Sequence, residues 1–385
     1  MNSILLSLRP EEELLLSLCR LSFTDEHKSK LSSVVYKISD WNHFIWLANE
    51  HGIISMVYHN LEILGLLSDL TQSTHSILHK SYLKSLARNT FLFKKYIELK
   101  KTLAEIGINP VVLKGMALEQ TVYGSEGLRQ MTDIDIYIPD EEECLKAWKQ
   151  LKGLGYTSKP LKSSLYKRIL PDYGKHIPDL HKDGISVDLH HNLFDKDHNI
   201  DTIKISNGPV EIIIPVPDIH FLYLVKHLNY HEFKGESQLR LYIDLLQLII
   251  KTDIDINSTR FIELAEKLGL KTILFEKLYL LHKFWSVPVE EDILSQLKDD
   301  QKAKAVNTFL KFLRDPKGQV GINKGARYRE TIRNIPTLRK KLIFLLGDIF
   351  PSVSFMQNRY NTRTRAGACL YYPIRLGKLF FLFIR

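Results

Sequence analysis

Met131-Thr132-Asp133-Ile134-Asp135-Ile136-Tyr137-Ile138 alternates polar and apolar residues in period two from Thr132 onward, the pattern of a half-buried β-strand. Residues two apart in a strand share a face, so Asp133, Asp135 and Tyr137 project together while Ile134, Ile136 and Ile138 turn to the core. Two carboxylates held this close repel each other unless they are protonated, solvated or bridged by cations, and hard oxygen donors suit Mg²⁺.

The tripeptide alone decides little, because Asp253-Ile254-Asp255 repeats it. That copy lies between a helix ending at Ile250-Lys251 and a helix start at Asn257-Ser258, so it reads as a loop. The first copy has different surroundings. Upstream, Asn109-Pro110-Val111-Val112-Leu113 reads as a short buried strand, Lys114-Gly115 ends it, and Met116 to Val122 has the spacing of a short helix. Downstream, Ile185-Ser186-Val187-Asp188-Leu189-His190 alternates again and places Asp188 on one face with Ser186 and His190. If the two strands are neighbours, Asp188 supplies a third carboxylate. A glycine at a strand-to-helix turn lets the backbone approach a phosphate, and free amides at a helix start attract anions. Lys114 or Arg129 could neutralise a polyphosphate, although each also has a plainer reading, Lys114 as a solvated cation and Arg129 as the partner of a nearby carboxylate.

Further out the pattern is helical. Asp40 is placed to cap a helix through Trp41 to Ala48, and Ser76 to Leu103 is a long amphipathic run. Beyond Pro217, helices are expected over Asp218 to His227, Arg240 to Ile250 and, capped by Ser258, Thr259 to Leu268. Asp244 interrupts the second of these and is expected to find a polar partner inside the domain interface, with a contact to a base or ribose as the alternative. The fold expected is α+β, a small mixed-sheet core flanked by helical regions. Its parts are an N-terminal helical region 1–104, the core 105–216, a helical domain 217–323 and a basic helical C-terminal region 324–385.

The 385 residues, 44% hydrophobic and 25% charged, are enough to bury a sizeable core. Cys19, Cys144 and Cys369 lie far apart and form no paired spacing, which argues against a disulfide framework or a cysteine zinc site. His190-His191, or His176 with His181, also lack the spacing of a transition-metal site. Arg9 and Glu11-Glu12-Glu13 interrupt the apolar start, so neither a signal peptide nor a membrane span is expected there, and a cytoplasmic location is the default. Leu379 to Ile384 is apolar but far too short to span a bilayer and reads as buried core, with a peripheral membrane contact as the alternative. The net charge of +9 is concentrated at the end: from Lys324 onward thirteen Lys/Arg face only Glu330 and Asp348. Such a region can meet nucleic acid, anionic lipid, an acidic partner or phosphates, or be a solvated helix face.

Taken together, these segments resemble the DNA polymerase beta-like nucleotidyltransferase superfamily, with its glycine-containing turn, Asp-x-Asp strand and third carboxylate on a later strand. Val112-Leu-Lys-Gly-Met-Ala-Leu118, Gly127-Leu-Arg129, Thr132-Asp-Ile-Asp-Ile-Tyr-Ile138, Gly153-Leu-Gly-Tyr156 and Val187-Asp-Leu-His190 are similar, more narrowly, to a large uncharacterised bacterial nucleotidyltransferase family. The resemblance implies a metal-dependent transferase that moves a nucleoside monophosphate from an NTP, by default ATP, to a hydroxyl acceptor and releases pyrophosphate. It implies that Asp133, Asp135 and Asp188 hold two Mg²⁺ ions, that Asp188 helps deprotonate the acceptor, and that Lys114, Gly115 and Arg129 bind the nucleotide. The chain departs from the superfamily at Gly115-Met116, where Gly-Ser is usual, so no hydroxyl is offered to the phosphate. The acceptor, whether small molecule, peptide or protein, is not implied, and no base-reading motif points to nucleic acid. The alternative is a non-catalytic nucleotide- or partner-binding module of a biosynthetic or toxin-antitoxin complex.

Overall fold

The computed structural model describes residues 8–124, 127–169, 177–194, 200–207, 210–319 and 324–377. His176 and Leu379 to Ile384 lie outside these. Six strands occur among the described residues: β1 (Val111–Val112), β2 (Ile134–Tyr137), β3 (Ile177–Lys182), β4 (Ile185–His190), β5 (Thr202–Asn207) and β6 (Val210–Pro215). The remaining elements are mostly helices, and the fold is α+β.

The chain divides into two compact units, each built from three stretches. The first comprises 1–98, 112–132 and 200–321. Its helices begin where the sequence offers caps: Asp40 accepts from the amide of His43, and Ser258 from that of Phe261. Pro217–Lys234 starts with proline at its first position and stops at Gly235, whose φ of 70° gives the left-handed turn that ends it. Leu239–Lys251 follows, buried along most of its length. β5 and β6 pair as an antiparallel hairpin in this unit. Asp253 and Asp255 lie in a loop, as expected, with Asp255 accepting from the amide of Asn257.

The second unit comprises 99–111, 133–199 and 322–385. Here β2 runs parallel to β4, and β3 runs antiparallel to β4 on its other side, which makes the sheet mixed. β3 and β4 are joined by Asp183-Gly184, both with positive φ (47° and 76°), the backbone that a two-residue hairpin requires. The crossover between the parallel strands carries Glu141–Gly153, capped by Asp140. Helices Lys324–Asn334 and Leu338–Ile349 are docked through Ile335 and Phe344, which cluster with Tyr166 and Ile169. Beneath them Asp348, fully buried, pairs with Lys162 and Arg375.

Two sequence expectations needed adjustment. β1 is two residues long rather than five, and the strand around Asp135 is buried on both faces rather than one. His190 lies against the carboxylate and helps cover the face expected to meet water.

Candidate active site

The pairing of β2 with β4 sets Ile134 beside Val187, Asp135 beside Asp188, Ile136 beside Leu189 and Tyr137 beside His190. Because side chains alternate, this register puts the apolar residues of both strands on one side and the acids on the other. Ile134, Ile136, Val187 and Leu189 are essentially inaccessible. Asp133, one residue before β2, joins the same face. One oxygen from each of Asp133, Asp135 and Asp188 lies within 4.8 Å of the other two. Among the described residues no other group of three acidic, histidine or cysteine side chains converges in this way, and neither Asp253 nor Asp255 belongs to one.

Asp135 is the buried member, and Asp133 and Asp188 are partly exposed. His190 Nε2 donates to Asp135 Oδ1 at 3.0 Å, and Ser186 Oγ donates to Asp188 Oδ1 at 3.4 Å. Each donor is two residues from Asp188 along β4, so the strand that supplies the third acid also supplies groups that orient the carboxylates. Three carboxylates at this spacing, with one taken out of water, carry a charge density that favours a bound cation over three bare anions. The donor set is all oxygen, which fits a hard divalent ion such as Mg²⁺ and not a soft one.

The other residues singled out in the sequence lie in the first unit. Lys114 opens the helix Lys114–Thr121 with a φ of 47°, so the left-handed residue of the turn is the lysine, not the glycine. Gly115 is needed for a different reason. A Cβ there would run into Arg129 Nη1, come within 3.0 Å of Arg129 Cζ and lie 3.1 Å from Met131 Cγ. The missing side chain is what lets the guanidinium cross the start of the helix. Arg129 is itself buried and held by Asp244, with Nη2 2.8 Å from Oδ2 and Nε 2.9 Å from Oδ1. Tyr123 donates to the same carboxylate at 3.0 Å.

A buried partner absent from the sequence reading is Glu119. It accepts from the amide of Gly127 at 2.7 Å and from Asn89 Nδ2 at 2.9 Å, while Asn89 also donates to the carbonyl of Arg129. Burial pushes the Glu119 carboxyl above the usual carboxylate range, against the pull of these donors. Glu119 and Asn89 thus fix the segment that delivers Arg129 to Asp244. His220, also buried, is held neutral by its burial and by the charge of Arg129.

Residues 38–286, more than half of the chain, match the model of a family described as uncharacterised nucleotidyltransferase. The chain belongs to this family. The match takes in the three acids, Arg129 and Asp244, and stops before the basic C-terminal helices. No curated protein and no solved structure matches the chain. Family membership makes it a nucleotidyltransferase, with nucleotide as the substrate to be expected at a site of converging acids.

Proposed function

We propose that this nucleotidyltransferase moves a nucleoside monophosphate from an NTP, by default ATP, to a hydroxyl acceptor, with two Mg²⁺ ions held by Asp133, Asp135 and Asp188. The observation that carries this reading is the convergence of the three carboxylates from β2 and β4. When bound, the metal would supply positive charge against the α-phosphate and make the acceptor hydroxyl more acidic. Asp188, the partly exposed acid of β4, receives the acceptor's proton. The acceptor oxygen forms its bond to the α-phosphorus as the bond to the bridging oxygen breaks, and that electron pair leaves with pyrophosphate. His190 keeps Asp135 in one orientation throughout. The nucleotide's triphosphate is assigned to Lys114, Gly115 and Arg129, the guanidinium being oriented by Asp244.

The test is a titration of the full chain with Mg²⁺ and a non-hydrolysable triphosphate, followed by a screen for acceptors with α-labelled ATP. Metal-dependent nucleotide binding is expected, and Asp135→Asn should abolish label transfer while leaving the circular dichroism spectrum unchanged. Asn keeps an oxygen for His190 but loses the charge, so surviving activity would overturn the metal assignment. Nucleotide binding without turnover on any acceptor would instead favour a non-catalytic module.

A further inference from the structure

The helix Leu338–Ile349 is apolar on two sides. Its inner side, with Phe344 and Gly347, packs on Tyr166 and the rest of that cluster. On the outer side Leu338, Leu342 and Leu346 recur every four residues and Phe350 lies just beyond the end; Leu338 is 85%, Leu342 57% and Phe350 60% exposed. Twelve helical residues extend about 18 Å. Leu370, Ile374 and Leu376, also exposed, belong to a segment tied to the end of this helix by Tyr372, which donates to the carbonyl of Pro351, and by Arg375, which holds Asp348. A row of large apolar side chains in water is costly and marks a surface that something covers.

Charge identifies what covers it. Arg339 stands exposed among the leucines and Lys340 and Lys341 flank them, while Arg333, Arg359, Arg363 and Arg365 are exposed elsewhere in the same region. Asp348, one of only two acids there, is buried. A second copy would bring one strongly basic surface against another. An anionic lipid surface takes both features at once: leucine and phenylalanine enter the headgroup–acyl boundary, and Lys/Arg meet the phosphates. The sequence after the described residues, Leu379-Phe-Phe-Leu-Phe-Ile384-Arg385, has the same combination. We propose that the outer face of Leu338–Ile349, with the exposed residues of 370–376, docks the protein peripherally on anionic membranes. No described helix is long and apolar enough to cross one. The inference does not depend on nucleotidyl transfer, and this region lies outside the segment that matches the family.

The experiment is co-sedimentation of the full chain with vesicles of phosphatidylcholine alone or with phosphatidylglycerol added. Binding is expected only with phosphatidylglycerol and should weaken as salt is raised. The double variant Leu342→Asn and Leu346→Asn should bind about a hundredfold more weakly, from the loss of two buried leucines. Arg339→Ala with Lys341→Ala should lose on the order of tenfold. Thermal melting confirms that each variant folds, and Leu338→Asn, at the most exposed position, replaces the first if it does not. Absence of binding, equal binding to both vesicles, or binding unchanged in the leucine variant would overturn the proposal. So would a wild-type dimer in light scattering that becomes monomeric in that variant, which would assign the face to a second copy.

Discussion

At the level of single residues, Arg129 shows how far a side chain's surroundings determine what it does. An arginine just before an Asp-x-Asp strand invites a phosphate role, yet its guanidinium is buried with two of its nitrogens bonded to Asp244. Removing one partner of a buried pair leaves an uncompensated charge, so Asp244→Asn should cost about 3–5 kcal/mol in urea unfolding. Gly115→Ala forces the same guanidinium aside and should cost about 1–3 kcal/mol. Because both changes act on Arg129, the double variant should be less destabilised than the sum of the two. Strict additivity would mean that Gly115 serves something other than Arg129.

Among elements, Leu338–Ile349 offers a comparison within one helix. Phe344 stacks on Tyr166 and its truncation to alanine should cost about 3–5 kcal/mol, whereas Leu342→Ala on the outer side should change stability by no more than about 0.5 kcal/mol. Equal losses in thermal unfolding would show that the outer row is not free of the fold. How legible an element was in the sequence follows the same physics of faces. β4 was readable to the residue because one side is core and the other carries Ser186, Asp188 and His190. β3 was not, since Pro178 and an irregular register between Ile177 and Leu180 break the alternation; proline is tolerated there because, among the described residues, the side of β3 away from β4 carries only the bridge between His181 and Thr157. Asp183-Gly184 was the available sign of that hairpin. Strand alternation, which is local, put Asp133 with Asp135 and gave Asp188 its face, whereas bringing the two strands side by side rested on the family resemblance. The partnership of Arg129 with Asp244 could not be read from the sequence, since 115 residues separate them and no spacing rule connects them.

For the molecule as a whole, acid acts on the first unit through two buried histidines. Burial lowers the pKa of His220 to about 3 and that of His51 to about 4. His220 Nε2 and His51 Nδ1 are buried without a hydrogen-bond partner among the described residues. Both stay neutral in the folded chain while the unfolded chain takes up protons near pH 6.5, so stability falls as pH drops below that value and stops falling near the folded values. Between about pH 7 and pH 5 the loss should be about 2 kcal/mol for each histidine. Urea melts should record it, and His51→Gln should remove about half of the slope; an unchanged slope would mean that other groups govern the acid limb. The interleaving of the two units has a consequence for inheritance. A break anywhere after residue 99 and before residue 321 leaves both units short of a stretch, so a gene fragment ending in that interval encodes no complete unit, and recombination within it would preserve a working protein only by restoring both halves together.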